Sequence, residues 1–151
     1  MKKLLFIFAM LVLGINVTFG QNKEVLDQAE TMPSFGSYTY QKFIRDPQAP
    51  QKGTYETVTE TGTKALMAFL SRNVKYPVKA EENGIQGRVI CSFVVDKDGS
   101  ITEVTVVNPV EPSLDKEAIR VVKSMPNWIP GTQKGKPVRV KYTMPITFRL
   151  Q

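Results

Sequence analysis

From Val138 to Leu150 the chain reads VRVKYTMPITFRL, and every second residue is apolar: Val138, Val140, Tyr142, Met144, Ile146, Phe148 and Leu150. Between them stand Arg139, Lys141, Thr143, Pro145, Thr147 and Arg149. A period of two this long does not fit a helix, whose period is 3.6 residues. It specifies a strand with one face on a core and the other in water. Pro145 has no N–H to give to a ladder, which points to an edge or a bulge. Successive strand residues direct their backbone groups to opposite neighbours, so the odd positions are expected to face an open edge. The backbones of Arg139, Lys141 and Thr143 are then the candidate pairing groups.

The stretches before this strand supply its cover. Leu66, Phe69, Leu70 and Val74 recur at i, i+3, i+4 and i+8, which predicts an amphipathic helix from about Thr63 to Asn73. Tyr76-Pro77 stops it, because the residue before proline avoids helical geometry. A short helical turn over Val78–Asn83 ends at Gly84. Gly87–Val95 and Ile101–Asn108 read as strands joined by the turn Asp96-Lys97-Asp98-Gly99. Ser113 is the expected N-cap of a helix carrying Leu114, Ala118, Val121, Val122 and Met125 on one stripe, and Pro126 ends it. The order helix, strand, strand, helix, strand predicts an α+β fold: a three-stranded antiparallel sheet with two helices packed on one face.

The N-terminus has a different character. Met1-Lys2-Lys3 precedes an apolar run from Leu4 to Val17, and Thr18-Phe19-Gly20 places small residues before Gln21. This is the pattern of a secretory signal peptide over residues 1–20, shorter than the roughly 20 apolar residues of a spanning helix. Residues 21–62 show little periodicity and are interrupted by Pro47, Pro50 and Gly53, so they read as a linker or weakly ordered insert. The domain proper is expected over residues 63–151.

Composition narrows the chemistry. The formal charge is +6; without Lys2 and Lys3 the balance is 18 basic against 14 acidic residues, or +4. The basic residues form no run, which argues against a nucleic-acid partner. With no His and one Cys, the chain can form no His-based catalytic arrangement, intrachain disulfide or thiolate metal cluster. Cys91 falls on an apolar strand face. A calcium loop opening at Asp96 would need Glu at position 107, which is Val107. Neither an enzyme nor a resident cofactor or metal is expected.

Taken together, Tyr76-Pro77, Gly84 with Gly87, the Asp96–Gly99 turn, the Leu114–Met125 helix, Trp128 with Pro130-Gly131, and the final strand with Pro145 resemble the C-terminal domain of the TonB family. The form is the one common in Bacteroidetes-type bacteria. The resemblance covers about Thr63 to Gln151, and Met32-Pro33-Ser34-Phe35 resembles a short motif that precedes such domains. It implies a periplasmic protein that binds the TonB box, a short extended peptide of outer-membrane receptors, by adding it to the sheet beside the last strand. The positions so implied are Val138, Arg139, Val140, Lys141, Tyr142 and Thr143. Arg72, Asn73, Tyr76 and Pro77 are implied as a secondary partner contact. Two alternatives stand beside this reading. A retained N-terminal helix would make the chain an inner-membrane-anchored energy transducer that engages motor proteins. Self-pairing through the edge strand would make it a homodimeric envelope module.

Overall fold

The computed structural model of the protein describes residues 24–151. The expected signal peptide lies outside the described residues. In chain order the elements are β1 (Val25–Leu26), β2 (Ser37–Arg45), β3 (Gly53–Thr61), α1 (Gly62–Asn73), α2 (Val78–Glu82), β4 (Gly87–Val95), β5 (Ile101–Asn108), α3 (Pro112–Lys123), β6 (Thr132–Gln133), β7 (Lys136–Pro137) and β8 (Arg139–Phe148).

The main sheet has the order β1-β8-β4-β5. Its three long strands are antiparallel neighbours, as the hairpin signal and the final alternation predict. The expected sheet of three strands is corrected to four. β1 lies parallel on the far side of β8, with Val25 opposite Arg139 and Leu26 opposite Val140. A two-residue strand carries no periodicity, so nothing in its own sequence announces it. The short helical turn expected over Val78–Asn83 forms α2, beside the expected pair of helices.

β4 is central, and its near-continuous apolar run GRVICSFVV follows from that place: Val89 and every residue from Cys91 to Val95 are buried. Cys91 is part of this packing, and burial, followed by the charge of Asp115, pushes its thiol pKa up to about 11. Helix side chains complete one core cluster. Ala65, Leu66 and Phe69 come from α1, Ala80 from α2, and Leu114, Ala118, Val121 and Val122 from α3. They meet Val89, Cys91, Phe93 and Val95 of β4 and Met144, Ile146 and Phe148 of β8. These alternate residues lie on one side of the sheet, so all three helices do too.

α3 is capped two residues earlier than Ser113 suggests. The N-cap is Glu111, with Pro112 in the first turn, where its missing N–H has no intrahelical partner to lose. The Glu111 carboxylate accepts from the backbone N–H of Ser113 at 2.9 Å and of Leu114 at 3.2 Å, and from the Ser113 hydroxyl. Glutamate is not among the short side chains that signal a cap, which explains the misplacement.

The stretch expected to be a linker or weakly ordered insert is built quite differently. β2 and β3 pair antiparallel from Ser37↔Thr61 to Arg45↔Gly53. Thr, Tyr and Val favour strand geometry, and one face carries a polar ladder: the Thr39 and Thr59 hydroxyls are 2.8 Å apart, and Gln41 donates to Thr57 at 2.8 Å. The base of the ribbon rests on α1, where the Tyr38 ring meets Phe69 edge-on at 5.3 Å. Ahead of it, Phe35 is buried between Phe69 and Trp128, each 5.7 Å away between ring centres. Trp128 in turn packs on Phe93 and Tyr142. Met32–Phe35 is thus tied to the loop before β8, with backbone bridges from Thr31 to Thr132 and from Ser34 to Ile129. Gly99, at φ +85, closes the β4–β5 turn; a side chain there would overlap the Trp128 carbonyl oxygen.

Candidate functional site

The alternation of β8 is realised residue by residue. Val140, Met144, Ile146 and Phe148 are buried, Tyr142 is half-buried, and Lys141, Thr143, Pro145 and Thr147 are exposed. Arg139 alone breaks the rule, being an odd position that is 8% exposed. Its guanidinium meets Asp96 at 3.3 Å and Glu103 at 2.9 Å. The hydrogen bond with Glu103, then the charges of Asp96 and Glu103, outweigh burial and hold its pKa above the ordinary arginine value. Arg139 is therefore committed to the fold, not part of a solvated basic face.

One side of β8 is fully used. Pairing with β4 runs from Gly87↔Phe148 to Val95↔Val140 without a slip. Pro145 sits opposite Ile90 within that regular ladder. A residue without an N–H fits such a ladder where its backbone groups point away from the partner. The odd positions therefore direct their backbone groups to the other side. There, β1 covers only Arg139 and Val140. From Lys141 onward no strand of the described residues pairs with that edge.

The uncovered edge borders a groove of about 830 Å³. Leu66, Met67, Leu70 and Val74, from α1 and the residue after it, form one wall. Tyr142 to Phe148 form the other, and Tyr76 also lines it. Arg88 and Arg149 border it too.

The positions expected at the site divide accordingly. Tyr142 and Thr143 line the groove, and Lys141 precedes them on the exposed side. Val138 precedes the strand and is tied back, its N–H donating to the Gly131 carbonyl at 2.9 Å. Of the secondary set only Tyr76 reaches the groove. Its ring meets Phe148 edge-on at 5.7 Å and its hydroxyl donates to the Ile85 carbonyl, while burial and then Glu81 raise its pKa. Arg72 instead lies over the Tyr40 ring, 3.8 Å from its centre. Asn73 donates to the Phe69 carbonyl at 2.8 Å, and Pro77 is the N-cap of α2. The α1 wall was missing from the expected set. Leu66, Leu70 and Val74 belong to the apolar stripe of that helix, and Met67, beside the stripe, is 61% exposed.

Among the described residues no three His, Cys, Asp or Glu side chains are grouped to hold a metal, and no helix is long and apolar enough to cross a membrane.

Fold and site define a two-layer α+β domain whose regular final strand keeps part of one edge uncovered. The family to which this architecture belongs follows from comparison. Residues 72–150 match the family described as the C-terminal part of the Gram-negative bacterial TonB protein, and the chain belongs to that family, as its motifs suggest. It is 32% identical over 89 residues to protein TonB of Helicobacter pylori strain 26695 and 33% identical over 89 residues to that of strain J99. In both cases 58% of this chain is covered and only 30% of the relative. An NMR solution structure of the Helicobacter pylori TonB C-terminal domain, residues 179–285, aligns at 29% identity with a TM-score of 0.46, covering 57% of this chain and 78% of that one. A second, of residues 194–285, aligns at 27% identity with a TM-score of 0.43, covering 57% and 90%.

Proposed function

We propose that this chain acts in the periplasm as a TonB-type binding partner of outer-membrane transporters. It takes up their TonB-box segment as a strand beside β8, in line with β1, and thereby serves TonB-dependent transport. The observation that carries this reading is the unpaired, unbulged run of β8 from Lys141. Its outward N–H and C=O groups keep the regular spacing that an extended peptide matches, save that Pro145 offers a C=O and no N–H. Each backbone hydrogen bond formed there contributes about 0.5–1.5 kcal/mol net. Several are needed for useful affinity, so a regular edge matters more than any one side chain.

Calorimetric titration of the mature chain with synthetic TonB-box peptides tests this. Binding is expected for the wild type and its loss is expected for Lys141→Pro, with circular dichroism showing that the variant stays folded. Undiminished binding by Lys141→Pro would overturn the register. A dimer that excess peptide fails to dissociate would favour self-pairing instead.

A further inference from the structure

We infer that α1 selects the side chains of the strand that β8 accepts: the incoming segment carries apolar residues at every second position, facing the wall made by Leu66, Met67 and Leu70. The inference rests on the strand-addition reading and extends it from backbone to side chains.

A strand added to β8 lies about 4.8 Å from it, and its residues alternate between the two faces of the sheet. One set then points to the helix side. At an ordinary sheet edge that set would meet solvent. Here it enters a groove of about 830 Å³ whose far wall is α1, within the size range of cavities that hold ligands. The groove floor is Tyr142, Met144 and Ile146. Met67, an apolar side chain on this wall, is 61% exposed.

The edge already accepts one strand of the chain itself. β1 pairs with the first two residues of β8 through Val25 and Leu26, both half-buried and both apolar. A partner strand from Lys141 continues that line. At the Phe148 end stand Arg88 and Arg149, neither in an ion pair among the described residues, so a carboxylate on that end of the partner is complemented.

The test uses the mature chain, labelled TonB-box peptides from the transporters of the same bacterium, and fluorescence anisotropy. Met67→Glu, at an exposed position, should keep the unfolding temperature of the wild type yet weaken binding at least tenfold. Serine scanning of a bound peptide should give losses at every second residue. If Met67→Glu binds as the wild type does, or serine losses fall equally on both alternating sets, while Lys141→Pro still abolishes binding, α1 does not select and strand addition stands alone. If Lys141→Pro binds normally, or the wild type binds none of the peptides, strand addition fails and the selection fails with it. If Met67→Glu dissolves a dimer that peptide cannot, the groove belongs to a second copy and the inference is overturned.

Discussion

Along β5 the ladder with β4 slips twice, between Ile90 and Cys91 and between Ser92 and Val94. At the second slip Glu103 takes a left-handed conformation, φ 53. Along β8, on the other side of the same central strand, the pairing runs from end to end with no slip. Bulges break the spacing of outward N–H and C=O groups, which is how proteins close a sheet edge to unwanted pairing. One edge is thus blunted by its own backbone, whereas the other is left regular and covered by β1 for two residues only. The two are mechanically joined. The bulge carries the Glu103 carboxylate to Arg139, so the irregular edge anchors the start of the regular one. The sheet thus has one irregular edge and one regular edge that β1 only begins to cover.

The largest test of this contrast concerns what keeps β8 straight. Phe148 is 1% exposed and packs on Tyr76. Phe148→Ala should cost about 3–5 kcal/mol in urea unfolding; a loss below about 1 kcal/mol would mean that the core does not hold this edge. Next comes the link between the edges. Arg139→Ala should cost about 1–3 kcal/mol, reduced from a fully buried pair because Glu103 remains substantially exposed. A double-mutant cycle with Glu103→Ala should leave a coupling of about 1 kcal/mol, and additivity would show that the edges are independent.

A smaller effect concerns the support beneath β1. Lys134 and Gly135, at φ 50 and 74, form the β6–β7 turn, and the Lys134 N–H donates to the Glu30 carboxylate at 3.2 Å. Asparagine tolerates this backbone better than lysine. Lys134→Asn should therefore stabilise by about 0.3–1 kcal/mol in thermal melts, and a loss would show that lysine is held there by contacts of its own. The smallest effect concerns α3, which backs the bulged edge. The Ser113 hydroxyl, then the N–H groups of Leu114 and Ser113, hold the Glu111 pKa below its ordinary 4.5 despite opposing desolvation. A carboxyl lowered in the folded state adds stability above its ordinary value and loses it as pH falls through the lowered one. Wild type and Glu111→Gln should differ in urea midpoint above pH 4.5 and converge in more acid solution. Parallel curves would exclude a charged cap.

Much of this architecture was legible from local pattern. The alternation of β8 predicted its buried and exposed residues, and the stripe Leu66–Phe69–Leu70 located α1. Gly99 marked the β4–β5 turn that it closes. The ribbon of β2 and β3 was not legible, because most of both faces is exposed and its outer half has no buried side. Its cross-strand hydroxyl and amide pairs do not appear as periodicity. At the candidate site, Pro145 indicated which way the backbone of β8 points. Arg139 looked like its neighbours Lys141 and Arg149, yet only Arg139 finds Asp96 and Glu103 in reach.

Arg139 apart, the sequence by itself determined which residues of the last strand are buried and which side of its backbone is unpaired by β4, because period and proline are properties of neighbours along the chain. Only the tertiary structure decided how much of that side remains open. Leu26 lies far from Val140 in sequence and beside it in space, and α1 overhangs β8 across a groove that neither element records alone. Contacts between distant segments depend on how the layers pack, and no local periodicity encodes that.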